Sequence, residues 1–163
     1  MTSPAAPFKG QPVPEQVVVV ERSAIGNFAD GITDDNPVFR DPSVASEQGF
    51  DAIPAPPTFN FVMPHWGAFP ELQPQEQPPA PLGGAIAAMM ATGGMILHGE
   101  QEFVYHRPVV VGDRLRSTGE MEDVYVKESG ERTMTFLVQR TDWVDDETGD
   151  PVVTSRMTII HRG

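Results

Sequence analysis

Four long stretches between residues 97 and 161 constrain the fold more than anything else in the chain: 97–107, 114–126, 133–143 and 152–161 each read as a strand. Turn chemistry separates them, first Pro108 with Gly112-Asp113, then Ser129-Gly130, then Asp145-Asp146-Glu147-Thr148-Gly149. Connections this short join strands that run antiparallel, because a parallel pair needs a long crossover. Within 133–143, Met134, Phe136 and Val138 alternate with Thr135, Leu137 and Gln139. This alternation predicts a core face carrying the first three and an opposite face that is only partly polar. An antiparallel sheet packed against one helix follows, which is an α+β domain.

The preceding half of the chain supplies the helix. Residues 1–14 are rich in Pro, Ala and Gly and read as a flexible arm, with the folded domain spanning 15–163 and opening on a strand at 16–20. Residues 23–32 read as a helix with Ser23 as its N-cap and Ile25, Phe28 and Ala29 at helical spacing. A second short helix is expected over 41–48, with Pro42 in its first turn. Pro56-Pro57 ahead of Thr58-Phe59-Asn60-Phe61-Val62-Met63 marks the start of a further helix, apolar enough to be the long one that the sheet wraps. The five prolines in 69–82 exclude a central strand or helix there and predict a loop.

Composition removes several classes of function. The chain has no cysteine, which excludes disulfides, thiolate nucleophiles and thiolate metal ligands. Eleven basic against 23 acidic residues give a net charge of -12, so nucleic acid and anionic membrane are not the expected partners. No stretch reaches the length of a membrane span and Met1 to Gly10 lacks signal-peptide character, so a cytoplasmic location is expected. The histidines His65, His98, His106 and His161 form no metal-binding spacing, and no metal or cofactor is expected. His98 is expected to be a buried, hydrogen-bonded structural residue. Gly83-Gly84 and Gly93-Gly94 flank an apolar stretch without lysine, unlike a phosphate-binding loop, so nucleotide chemistry is not expected either.

Residues 28–41 carry the chemical information. Asp34, Asn36-Pro37 and Asp41 resemble the signature of MaoC-like, (R)-specific enoyl-CoA hydratases, Gly-Asp-x-Asn-Pro-x-His-x-Asp. Asp34 falls at the family's catalytic aspartate, but Phe39 stands where the signature has its histidine. Read alone, Asp34 and Asn36 are turn formers. Further motifs follow in the same order as in the MaoC-like N-terminal, fatty-acid-synthase-type dehydratase subfamily. They are Asp41-Pro42-Ser43-Val44 with Gly49-Phe50, then Ala55-Pro56-Pro57-Thr58-Phe59, then Leu97-His98-Gly99-Glu100-Gln101-Glu102-Phe103-Val104-Tyr105-His106-Arg107-Pro108, and Val111-Gly112-Asp113.

This resemblance implies a single hot-dog domain, an antiparallel sheet around a central helix, and a coenzyme A thioester as substrate rather than cofactor. Hydration of an enoyl thioester needs one group to deprotonate water and one to supply the α proton, and a phenyl ring does neither. In the subfamily a Phe or Tyr commonly replaces the histidine, and the domain pairs with a catalytic MaoC-like subunit that keeps Asp-x4-His. The resemblance thus implies a non-catalytic, tunnel-forming subunit, with Asp34 a partial or vestigial catalytic residue beside Asn36. Phe59, Phe61, Met63, Met89 and Met90 are expected to line the acyl tunnel, with Arg107 and Arg114 on the coenzyme A phosphates. Pro57 falls where the family has a glycine that donates its amide to the thioester oxygen, and Thr58 is expected to offer its own amide instead. Two alternatives stay open: a homodimeric hydratase working through Asp34 with another acid or base, and a non-enzymatic acyl-binding scaffold. A thioesterase fits less well, since the expected central helix holds no carboxylate.

Overall fold

The computed structural model describes residues 3–129 and 132–163; of the turn expected at Ser129-Gly130, Gly130 lies outside them. Five strands, β1 (Gln16–Val19), β2 (Met95–Tyr105), β3 (Arg114–Ser129), β4 (Arg132–Asp145) and β5 (Pro151–Arg162), form one antiparallel sheet in the order β1-β3-β4-β5-β2. Among the described residues the α-helices are α1 (Arg22–Gly31), α2 (Pro42–Glu47), α3 (Met63–Trp66) and α4 (Pro81–Met90), joined by short 3-10 turns. The two connections expected from turn residues within the described chain are present. Asp145 Oδ1 accepts from the amides of Glu147 and Thr148, both at 3.0 Å, and closes the link to β5.

Two apolar clusters hold the helices on the inner face of the sheet. The first gathers Val18, Ile25, Phe59, Met63, Leu115, Trp143 and Val153, so α1 and α3 pack on one end of the strands. The second gathers Ala85 and Met89 of α4 with Met121, Leu137 and Ile159 at the other end. Ile25 and Ala29 of α1 are buried and Phe28 packs beside them, as their spacing predicts. Asp41 caps α2 by accepting from the Ser43 amide at 2.8 Å.

Several expectations need correction. The inner face of β4 is the one bearing Thr135, Leu137 and Trp143, all buried, not the one bearing Met134, Phe136 and Val138. Phe136 lies on the outer face, where its ring stacks on that of Tyr125 at 4.7 Å beneath the Lys127 ammonium. Ser23 does not cap α1, since the helix starts at Arg22 and Glu21 occupies the cap position without a side-chain bond. The central helix is in two pieces: the first ends at Trp66 and the second begins at Pro81. Gly67 ends the first piece against β1, where a Cβ would meet the Val19 carbonyl oxygen at 2.5 Å, and the prolines that follow cannot continue a helix. The segment from residue 3 to 14 is not a loose arm. Ala5 is fully buried in the second cluster, and the Gly10 and Val13 amides donate to Met121 and Gly119 of β3.

The two edges of the sheet are treated differently. The open side of β1 is covered by the proline-rich loop, whose glutamines imitate a neighbouring strand. Gln73 accepts from the Val17 amide at 3.1 Å and donates to the Val17 carbonyl at 2.8 Å; Gln77 does the same for Glu15 at 3.0 and 2.7 Å. At the other edge, β2 bonds only to β5, and Met95, Leu97, Val104 and Tyr105 along it are exposed. No helix of the described chain is long and apolar enough to cross a membrane.

Candidate functional site

The turn that carries the hydratase-like residues is built by α1 and the Asn-Pro step behind it. Thr33 takes a left-handed conformation, φ 57°, to end α1, and the Asp34 amide then returns to the Ala29 carbonyl at 2.9 Å. Asp34 Oδ1 accepts from the Asn36 amide at 3.0 Å, and Asn36 Oδ1 accepts from the Val38 amide at 3.1 Å. Arg40 fastens the outside of this turn, donating to the Asp34 carbonyl at 2.8 Å and pairing with Asp30 at 2.6 Å. Both polar side chains are therefore occupied in shaping the backbone.

Beside the turn lies a cavity of about 550 Å³, lined by Asn36, Phe39, Pro57, Tyr105, His106 and Arg107 among others. This size lies in the ordinary range for a small-molecule site. Asp34 is not among its walls. Phe39 is, with its ring packed on the first apolar cluster, so the position that would hold a histidine contributes only hydrocarbon. The Tyr105 hydroxyl donates to the Pro57 carbonyl; although the residue is 38% exposed overall, desolvation of its hydroxyl end pushes this phenol up to about 12, so it stays protonated as a donor. Pro57 presents no amide, and Thr58 is exposed outside the cavity walls. His106 contacts the Thr154 hydroxyl at 3.3 Å.

The two arginines expected to meet phosphates are already paired. Arg107 donates to Asp113 at 2.8 Å and to Asp145 at 3.4 Å; the hydrogen bond to Asp113 is the main cause raising its pKa. Arg114 donates to Asp146 at 2.7 Å, and Arg116 binds the other oxygen of the same carboxylate. Both arginines are thus engaged with carboxylates of this chain, Arg114 sharing Asp146 with Arg116.

The expected tunnel residues also separate. Phe59, Met63 and Met89 are almost fully buried core, while Met90 is exposed on the far side of α4. Phe61 alone of the five lines a second cavity, of about 430 Å³, between α3, α4 and the inner face of the sheet. His98 is exposed rather than buried, and its ring meets that of Phe61 at 5.5 Å. The sequence reading missed the polar wall of this second cavity, formed by Gln16, Gln101, Gln139, Thr141 and Ser155 from the strands and Asn60 from the turn before α3. The available signal was Gln139 and Thr141 sharing the strand phase of Leu137 and Trp143, both large and apolar.

Comparison with known proteins places this geometry in a lineage. The chain is 33% identical over 153 residues to a UPF0336 protein of Saccharopolyspora erythraea, an alignment spanning 92% of this chain and 85% of that one. Two solved structures from Mycobacterium tuberculosis share its hot-dog fold. The ChsH1-ChsH2 complex matches with a TM-score of 0.75 and 24% identity over 97% of this chain and 88% of that one. The C-terminally truncated HadBC (3R-hydroxyacyl-ACP dehydratase) complex matches with a TM-score of 0.68 and 21% identity over 94% and 96%. The model of the FAS1-like, dehydratase domain region matches residues 7–155, nearly the whole chain, which therefore belongs to that family.

Proposed function

We propose that this chain is the non-catalytic, acyl-holding subunit of an enoyl-thioester hydratase or 3-hydroxyacyl-thioester dehydratase, assembled with a second hot-dog chain that carries an intact Asp-x4-His pair. The observation that carries the reading is the cavity at Phe39. It has the size of a small-molecule site and borders the hydratase-like turn, but its walls include Phe39 where the signature has a histidine, while Asp34 is turned into a backbone bond outside them. Proton transfer to and from substrate and water then falls to the partner. The open edge of β2 supports such a partner, since a long strand with unpaired amides and exposed apolar side chains is a pairing surface that soluble proteins otherwise cover, as the Gln73 and Gln77 loop covers β1. The fold relatives named above, HadBC and ChsH1-ChsH2, are themselves complexes, which fits the same arrangement.

The test is hydration of crotonyl-CoA by the purified chain, by the complex formed on co-expression with a hot-dog chain containing Asp-x4-His, and by that chain alone. The single chain is expected to fall below the complex by the hundredfold to ten-thousandfold, roughly, that one general acid or base supplies. Turnover by the pure chain at the rate of the complex would overturn the subunit reading. It would favour instead a homodimeric enzyme in which His106, the one histidine at the Phe39 cavity, does the work of the missing one.

A further inference from the structure

The inner face of the sheet carries a polar band between two apolar rows. At one end Trp143 pairs with Val153, and at the other Leu137 pairs with Ile159. Between them, Thr141 pairs with Ser155 and Gln139 with Met157, and β2 extends the second of these rows with Gln101. A sheet face that meets only its own helices is expected to be apolar throughout. Directly over this polar band the helical layer is broken, because α3 has ended and α4 has not begun. The second cavity fills the gap, with Asn60, Phe61 and Leu82 on the side facing the sheet.

Two groups in this cavity have no partner within the described protein. Asn60 is only 4% exposed, and its Nδ2 is buried without a hydrogen bond; Gln101 Oε1 is in the same condition, although its Nε2 donates to the Arg156 carbonyl at 3.2 Å. That second bond fixes the orientation of the Gln101 amide. An unmet donor and an unmet acceptor buried on two residues that line one cavity destabilise the fold unless something satisfies them. A hydroxyl suits both kinds of group, since it accepts as well as donates.

We propose that this cavity binds the distal part of an acyl chain bearing a hydroxyl beyond C3, held by Asn60 and Gln101. This deepens the acyl-thioester reading above and rests on it. Gln101 and Phe103 place the cavity directly against β2, the open edge, so an acyl chain whose thioester sits on a partner docked there has a short path into it. A saturated alkyl chain would fill the same volume but leave both groups unpaired.

The probes are decanoyl-CoA and its analogue with a single mid-chain hydroxyl, titrated calorimetrically into the full chain and into its complex with the catalytic partner. The hydroxylated thioester is expected to bind at least about tenfold more tightly, the effect of one net hydrogen bond of ordinary strength. Asn60→Leu is expected to bring the ratio of the two affinities close to one. Gln101→Met provides the same test on a strand in case the first variant folds poorly, and the Asn60 side-chain amide resonances are expected to shift only with the hydroxylated ligand. Equal or tighter binding of decanoyl-CoA, or a ratio that survives both substitutions, would overturn the polar-chain inference and leave the acyl-thioester reading standing. Binding of neither thioester to chain or complex, with no hydration of crotonyl-CoA, would end both.

Discussion

Thr33 holds a left-handed backbone, φ 57°, that a β-branched side chain adopts only under strain. The strain lies one residue before Asp34 and sets the direction in which that carboxylate leaves α1, toward the Asn36 amide. Thr33→Asn, which tolerates this conformation, is expected to stabilise the chain by about 0.5–1 kcal/mol, part of the left-handed penalty. Urea unfolding would register it as a higher midpoint at unchanged slope. The same turn decides what restoring the signature can do. With Asp34 bonded to backbone and outside the cavity walls, Phe39→His replaces one member of a pair whose other member points elsewhere. Its crotonyl-CoA hydration is expected to rise by less than the roughly hundredfold that one well-placed acid or base contributes. A larger rise would mean that Asp34 and the new imidazole converge on one water after all.

At the level of elements, the long strands were legible because their lengths and turn residues are hard to satisfy any other way, and β3 to β5 lie within a few residues of the expected spans. The inward phase of β4 was not, because Met134, Phe136 and Val138 look like a core row in one dimension. In three, Phe136 is taken up by the Tyr125 ring across the strand pair on the outer face, and Leu137 alone reaches α4's cluster. Chemistry was legible in type but not in pairing. Asp34, Asn36 and Phe39 stand in one turn as the motif required, whereas Arg107 and Arg114 find carboxylates 6 and 32 residues away that no local pattern announces. The split of the central helix was half legible. Prolines marked the loop, but the close approach of Gly67 to β1, which stops α3, is a tertiary fact. Gly67→Ala places a methyl group against the Val19 carbonyl, and the overpacking is expected to cost about 1–3 kcal/mol in thermal or urea unfolding. An unaffected midpoint would show that α3 can slide away from β1.

For the whole molecule, charge and edges set behaviour in solution. The hydrogen bond from Lys9 holds the Asp123 carboxyl below its usual range and ties the N-terminal segment to β3; for Asp146, burial works upward but the bonds from Arg114 and Arg116 outweigh it. A carboxylate with a depressed folded-state pKa lends stability above its unfolded value of about 4 and loses it as the pH falls through the folded value. The chain is therefore expected to lose stability below about pH 4, and Asp146→Asn, already weaker at pH 7, to show a smaller drop between pH 7 and pH 3. The edges lead to a separate expectation. The β1 edge is closed by Gln73 and Gln77, so β2 is the edge left open for strand pairing, and Leu97 and Val104 along it are 44% and 43% exposed. Lysine on an edge strand opposes pairing, because its charge would have to be desolvated without a counter-ion. Leu97→Lys with Val104→Lys is expected to weaken assembly with the catalytic chain by more than about tenfold, the least that an unpaired interfacial charge costs. Circular dichroism of the isolated chain should stay unchanged. Gln73→Ala, on the opposite edge, should lower thermal stability and leave assembly intact. Light scattering and analytical ultracentrifugation separate the two outcomes; a doubly substituted chain that assembles like the parent would place the interface away from β2 and remove the structural support for a partner docked beside the polar cavity.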